Sequence, residues 1–150
     1  MKNFTLMGIS TNKNKEITVI DHDTIKINNL PNQFLFRKSD LDGSKSKYAC
    51  IATKQNNPNI NFKSIQKTYE YIDIFDETFL NKQTFIISAV DNINTRQFID
   101  NICTSEEKTL IDSGIFGTKA HTQMIIPHLT TCYNDIIDPE DNLEHIPPKS

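Results

Sequence analysis

The stretch Thr84-Phe85-Ile86-Ile87-Ser88-Ala89-Val90-Asp91-Asn92 decides the fold, because it joins a continuous apolar run to a polar pair. A short, uninterrupted apolar run is typical of a strand that is covered on both faces, as strands of parallel sheets are. Apolar residues recur at helical spacing just after the polar pair, at Phe98, Ile99, Ile102 and Cys103. The stretch therefore predicts a strand that leads directly into a helix, which is the basic unit of an α/β fold.

A second strand of this kind is predicted at Ile17-Thr18-Val19-Ile20, a β-branched run that we expect to be buried and that ends at Asp21-His22-Asp23. Two more helices are predicted, one from Gly43-Ser44 to Lys54 and a short one over residues 76–82. Three more strands are predicted, over residues 60–65, from Thr109 to Asp112 and from His121 to Pro127. A turn is predicted at Ser113-Gly114, directly after the second of these strands. Strands that alternate with helices indicate a Rossmann-like parallel sheet flanked by helices.

Composition and charge exclude two classes of partner. The net charge is −3 and the pI is about 5.8, so there is no electrostatic reason to expect nucleic acid. No apolar run approaches the roughly 20 residues that cross a bilayer, so we expect no membrane association. The three cysteines lack C-x-x-C spacing and favour reduced thiols, which predicts a cytoplasmic or nuclear location, or both.

Two acidic residues stand where a parallel sheet binds its ligands. Asp21 and Asp91 each follow a predicted strand, and ligands of open parallel sheets lie at the carboxyl ends of the strands. An acidic residue in the position of Asp21 holds a ribose hydroxyl in many nucleotide-binding units. A turn or helix cap is the alternative for both, and the pair Asp91-Asn92 fits a cap as well as a site.

Lys45 is a candidate for binding an anion. It begins a predicted helix just after Gly43-Ser44, where a lysine can reach an anionic ligand near the helix N-terminus. An ordinary solvated lysine is the more common case at such positions. A nicotinamide-dependent dehydrogenase also fits the strand followed by an aspartate, but it leaves Lys45 and Asp91-Asn92 without a role.

Taken together, these segments carry a resemblance to a known family. They are, in order, Ile17–Ile25, Asn29-Leu30, Gln33–Arg37, Lys45–Lys47, Asn57–Ile60, Ala89–Asn92 with Arg96 and Asp100, Asp112–Gly114, Gly117–Lys119 and His121–Thr130. The chain resembles the active adenylation domain, of ThiF/MoeB type, of ubiquitin-activating enzymes, in the family's order and spacing as far as about Pro139.

The resemblance implies ATP and Mg²⁺ as cofactors and ubiquitin or a ubiquitin-like protein as the partner that is adenylated. Carried over by motif, Asp21 would hold the ATP ribose, while Asn29 and Lys45 would contact its phosphates. Gln33 and Asn92 would complete the ATP-binding set. Asp91 would bind magnesium.

The sequence also departs from the family pattern. The family's motif Asn-Leu-Asn-Arg-Gln-Phe reads here Asn29-Leu30-Pro31-Asn32-Gln33-Phe34, so Asn32 replaces the arginine that would reach the triphosphate. The only glycine before Gly43 is Gly8. We therefore expect a fold that lacks its first strand and its glycine-rich loop. No cysteine occupies the position of the family's transfer nucleophile.

Two hypotheses of function follow from this. The first is a partial adenylation domain over residues 1–130, with an extended or disordered tail over residues 131–150, that is not competent for adenylation alone. The second is a non-catalytic subunit that pairs with another adenylation-type protein, since the family pairs active with inactive halves.

Overall fold

The computed structural model describes residues 1–67, 75–116 and 118–136. The chain divides into two compact units, residues 1–71 and residues 72–150. Among the described residues, no helix has the length and apolar character that crossing a membrane requires.

The first unit is built on a parallel pair of strands joined through a helix. It contains α1 (Lys2–Leu6), β1 (Ile17–Ile20), α2 (Lys45–Lys54) and β2 (Phe62–Ile65), with short 3-10 helices at Ile27–Asn29 and Lys38–Asp40. The strands β1 and β2 pair in parallel, with Ile17 opposite Phe62. Helix α2 begins where predicted, because the Ser44 hydroxyl caps it by accepting a hydrogen bond from the Lys47 N–H.

A long segment, residues 21–44, connects β1 to α2, and we call it the excursion. The core of the first unit lies between this excursion and α2. Ile25, Phe36 and Ala49 are buried there, and partly buried apolar side chains surround them, namely Leu30, Leu35, Leu41 and Tyr48. Strand β1 itself is only half-buried along its length, so the expectation of a buried strand at Ile17–Ile20 was wrong. The excursion, rather than the strand, supplies the apolar centre of this unit.

The second unit contains a three-stranded sheet with helices α3 (Glu77–Lys82), α4 (Ile93–Ser105) and α5 (Tyr133–Ile136). Its strands are β3 (Ile86–Ser88), β4 (Leu110–Phe116) and β5 (Lys119–Ile125), in the order β3-β4-β5. The pair β3-β4 is parallel, as predicted, whereas β5 returns antiparallel to β4. Buried Cys103, Leu110 and Ile125 form the core of this unit, between α4 and one face of the sheet.

The turn predicted at Ser113-Gly114 was wrong, since both residues lie inside β4. Gly114 is there for space: a Cβ atom on it would lie 2.6 Å from His121 Cε1 and 2.7 Å from Arg96 Nη2. A glycine in a strand interior often marks such a close approach. Strand β3 is also shorter than the apolar run predicted, because Ala89 and Val90 lie beyond its last ladder pair.

The segment predicted to be an extended or disordered tail is described only in part. Residues Tyr133–Ile136 form α5, whereas residues 137–150 lie outside the described residues. The boundary at residue 130 stays a prediction.

Candidate functional site

Asp21 lies at the carboxyl end of β1, in the first unit. Its N–H donates to the Ile65 carbonyl at 3.1 Å, so the parallel pair β1-β2 ends at this residue. Its Oδ1 accepts a hydrogen bond from the Asp23 N–H at 2.8 Å. The carboxylate therefore shapes the turn after the strand, while its second oxygen remains available to a ligand hydroxyl.

Lys45 is held against this turn by two contacts with Asp23. The Lys45 Nζ lies 2.6 Å from Asp23 Oδ2, and the Lys45 N–H donates to the Asp23 carbonyl at 2.9 Å. The Lys45 side chain is only 15% exposed, whereas that of Asp23 is 48% exposed. Hydrogen bonding by Lys45 holds the pKa of Asp23 below its usual value, against an opposing effect of burial. The ammonium is thus fixed in place against Asp23, two residues after Asp21, unlike a solvated surface lysine.

Strand-like pairing at the base of the excursion explains why Asp23 and Lys45 meet. Thr24 and Ser44 form an antiparallel bridge, and the Ile25 N–H donates to the Gly43 carbonyl at 2.8 Å. The excursion therefore closes on itself immediately beyond Asp23 and immediately before Lys45. Asp23 was not among the site residues predicted from the sequence.

Replacing Lys45 by methionine should raise the pKa of Asp23 toward its ordinary value. A carboxyl whose pKa is lower in the folded state stabilises that state at pH values above its unfolded pKa, near 3.8. This contribution is lost as the pH falls through the lower, folded value. We therefore expect the stability difference between the wild type and Lys45→Met to shrink below about pH 4. NMR titration of Asp23 with parallel urea melts would check this, and a pH-independent difference would contradict it.

Asn29, Asn32 and Gln33 lie on one tight turn within the excursion. The Asn29 carbonyl accepts from the N–H groups of Asn32, at 3.1 Å, and of Gln33, at 2.8 Å. The Asn29 Oδ1 accepts from the Lys26 N–H at 2.8 Å, so this side chain stabilises its own turn. The side chain of Asn32 is exposed. The turn presents the side chain of Asn32 to solvent. An arginine at this position would also extend into solvent, away from the turn.

Asp91 and Asn92 lie in the second unit, between β3 and α4. Asn92, rather than Asp91, is the cap of α4: its Oδ1 accepts from the Thr95 N–H at 2.7 Å and from the Thr95 hydroxyl at 2.6 Å. Asp91 is exposed, and no described residue pairs with its carboxylate. The cap interpretation therefore holds for Asn92, and Asp91 is left free for a ligand.

The chemistry of Asp91 fits Mg²⁺, which the family resemblance implies. Mg²⁺ prefers hard oxygen ligands and is usually held by one or two carboxylates together with substrate phosphates and water. The ligand atoms of Asp21, His22 and Asp23 also lie within 4.8 Å of one another. However, Asp23 already carries the Lys45 ammonium. The free carboxylate of Asp91 is the better match to the cation.

Two of the three cysteine thiols, those of Cys50 and Cys103, are buried. Burial raises the pKa of Cys50 to about 11 and that of Cys103 to about 12. A thiol is a nucleophile only as the thiolate, so both are inert at neutral pH.

The fold and the arrangement of these residues define a class: a Rossmann-like α/β domain of the ThiF/MoeB type. Among solved structures, the E. coli protein MccB, crystallised with MccA-N7isoASN, matches 79% of this chain with a TM-score of 0.65 and 25% identity, over 35% of its own length. The predicted fold class is confirmed.

The chain belongs to the ThiF family, whose model matches residues 1–149. It is 38% identical over 94% of its length to ubiquitin-activating enzyme E1 1 of Arabidopsis thaliana. It is 41% identical over 98% of its length to human ubiquitin-like modifier-activating enzyme 6. The predicted resemblance is confirmed. The chain spans 13–14% of the length of these relatives.

Proposed function

We propose that this chain is the ATP-binding part of an adenylation domain that activates ubiquitin or a ubiquitin-like protein, and that it does not complete the reaction alone. The observation that carries the proposal is the Lys45 ammonium, which Asp23 holds in place on the turn that Asp21 begins at the carboxyl end of β1. Such a cation, held at the start of a helix, suits a nucleotide phosphate. The relatives of this chain are named as ubiquitin-activating and ubiquitin-like modifier-activating enzymes, which supports a nucleotide as the ligand.

The reaction would join a carboxylate oxygen of the protein substrate to the α-phosphorus of ATP, with pyrophosphate leaving. Negative charge develops on the phosphate oxygens, so positioned cations do most of the work. In this proposal, Lys45 neutralises phosphate charge and Asp21 holds the ribose. Asn29 and Gln33 line the nucleotide, and Asp91 holds magnesium with Asn92 fixing its loop. Magnesium, when bound, supplies Lewis-acid stabilisation of the phosphates.

Asn32 supports the second half of the proposal. It is exposed on its turn and carries neither the charge nor the planar fork of the family's arginine. Losing one contact to a developing charge typically costs about 100- to 1000-fold in rate. A chain with Asn32 should therefore bind ATP better than it turns it over.

ATP–pyrophosphate exchange in the presence of ubiquitin tests the proposed incompetence. We expect the 150-residue chain to show no exchange above background, with an intact ubiquitin-activating enzyme as the positive control. Robust exchange that depends on ubiquitin would contradict it.

Restoring the arginine should tighten nucleotide binding. Asn32→Arg is expected to increase the affinity for ATP by about tenfold, because a charge-assisted hydrogen bond to a phosphate replaces a neutral side chain. Calorimetric titration would measure this, with Asn32→Gln as a control that adds length without charge. Equal affinities of the Arg and Gln variants would show that Asn32 does not face the nucleotide.

The non-catalytic pairing role remains the second candidate, and an exposed apolar sheet face favours it. Ile87, Ile111 and Met124 are opposite one another in register, on the face of the second unit's sheet away from its core. Ile87 is 39% exposed, Met124 is 55% exposed and Ile115 is 82% exposed. Patches of this kind commonly mark interaction sites.

Co-purification from cell extract, with the bound protein identified by mass spectrometry, tests the pairing role. We expect it to recover an adenylation-type chain if pairing is the function. A chain recovered only as a monomer would contradict this candidate.

A further inference from the structure

The loop that carries Asp91 is held by a buried arginine that no sequence motif assigned to the site. Arg96 lies in the first turns of α4 and is 8% exposed. Its Nη2 donates to the Val90 carbonyl, immediately before Asp91, and to the Ser113 carbonyl at 3.0 Å. Its Nη1 donates to Asp112, whose side chain is 2% exposed. The guanidinium therefore ties the start of this loop to strand β4.

The other end of the loop is tied as well. Asn92 accepts two hydrogen bonds from Thr95, one from its N–H and one from its hydroxyl. Asp91 thus stands between two fixed neighbours, with its own carboxylate exposed and unpaired among the described residues. This is the arrangement expected for a cation ligand that is oriented before its ligand arrives, because pre-organisation removes the cost of ordering on binding.

The guanidinium of Arg96 is enclosed on two sides. The Tyr133 ring centroid lies 5.9 Å from Arg96 Cζ, within the range of a cation–π contact. On the strand side, Gly114 provides the space that any larger residue would fill, since an added Cβ would lie 2.7 Å from Nη2. Strand β4 and helix α5 therefore confine the same group that grips the Val90 carbonyl.

We propose that Arg96 is a positioning residue that orients Asp91 for Mg²⁺ through the Val90 carbonyl, with Asp112 holding the guanidinium. This inference rests on the proposed function, because it concerns the magnesium ligand of that site. It predicts that Arg96 affects the magnesium dependence of ATP binding without touching either ligand.

The first measurement is amide hydrogen exchange in the ligand-free chain, which reads the loop directly. Arg96→Lys keeps the charge but cannot reach Val90, Ser113 and Asp112 at once. We expect exchange at the Thr95 amide to become about tenfold faster. Ser105→Ala is the control, because it removes the hydrogen bond from the Ser105 hydroxyl to the Ile102 carbonyl, 3.0 Å long, at the far end of the same helix. We expect wild-type exchange at Thr95 in this control.

The second measurement is the ratio of ATP affinities with and without Mg²⁺, by calorimetry. Arg96→Lys should reduce this ratio by about tenfold, as loss of outer-shell support typically does, while Ser105→Ala should leave it unchanged. In an Asp91→Asn background, Arg96→Lys should have no further effect on the ratio, because the two residues act through one ligand. Gly114→Ala, which displaces the guanidinium without removing it, should reproduce both effects if Arg96→Lys fails to fold.

Each outcome decides the proposal. Wild-type exchange at Thr95 in both Arg96→Lys and Gly114→Ala would overturn it, whether or not the chain binds ATP. Faster exchange with an unchanged magnesium ratio would show a structural role only, and would also overturn it. If exchange at Thr95 is faster in Arg96→Lys but the wild-type chain binds ATP equally with and without Mg²⁺, the proposed function itself is contradicted. The positioning role is then contradicted as well.

Discussion

Arg96→Met is expected to lower the free energy of unfolding by about 3–5 kcal/mol, the largest stability effect anticipated for a single substitution in this chain. Methionine approximates the length of the arginine but leaves Asp112, whose side chain is 2% exposed, with only the His121 imidazole near its carboxylate, Nε2 lying 3.8 Å from Oδ2. An uncompensated buried charge is far more costly than the loss of a surface contact. Urea denaturation of the whole chain at neutral pH, monitored by circular dichroism, would measure the effect.

Glu107→Gln is the matched control for this prediction. Glu107 also makes a charged contact in the second unit, with its Oε1 lying 3.9 Å from His128 Nε2, but its side chain is 79% exposed. Exposed pairs contribute at most about 1 kcal/mol. If Arg96→Met costs no more than Glu107→Gln, the buried pair does not stabilise the fold as described.

Lys45→Met is expected to weaken ATP binding by about 10- to 100-fold, which is the effect of removing a charge-assisted hydrogen bond to a phosphate. Lys45 is 15% exposed and its ammonium is held by Asp23, so it is already ordered before a phosphate arrives at the proposed site. The measurement is calorimetric titration with ATP and Mg²⁺.

Lys47→Met is the control for the lysine, since Lys47 is exposed on the same helix and carries the same charge. It should bind ATP as the wild type does, because a solvated lysine adds only screened attraction. Equal losses in the two variants would mean that general charge, rather than a positioned ammonium, attracts the nucleotide.

The order and type of the elements could be predicted from the sequence because local signals agree with the tertiary structure. Ser44, Asp76 and Asn92 each cap a helix by accepting a backbone hydrogen bond, and each is followed by the predicted helix. The turn at Ser113-Gly114 failed for the opposite reason. Gly114 looks like a turn former locally, but it pairs with His121 inside a strand, and its missing side chain leaves the space that Arg96 and His121 occupy.

The candidate site divides in a similar way. Asp21 and Lys45 were predicted from their places after a strand and at the start of a helix, and the structure puts them beside one turn. Asp23 was missed because its role depends on the closure of the excursion through Thr24 and Ser44, which no local pattern shows. Arg96 was singled out only by the family resemblance. Its burial against Asp112 is a tertiary contact without a periodic signal.

Titration of the wild-type chain with ATP in the presence of Mg²⁺ is the most direct test of the central proposal, that this chain is the ATP-binding part of an adenylation domain. We predict saturable binding at one site per chain that weakens when Mg²⁺ is removed. The absence of saturable heat from a folded chain, or binding indifferent to both Mg²⁺ and Lys45→Met, would contradict the claim.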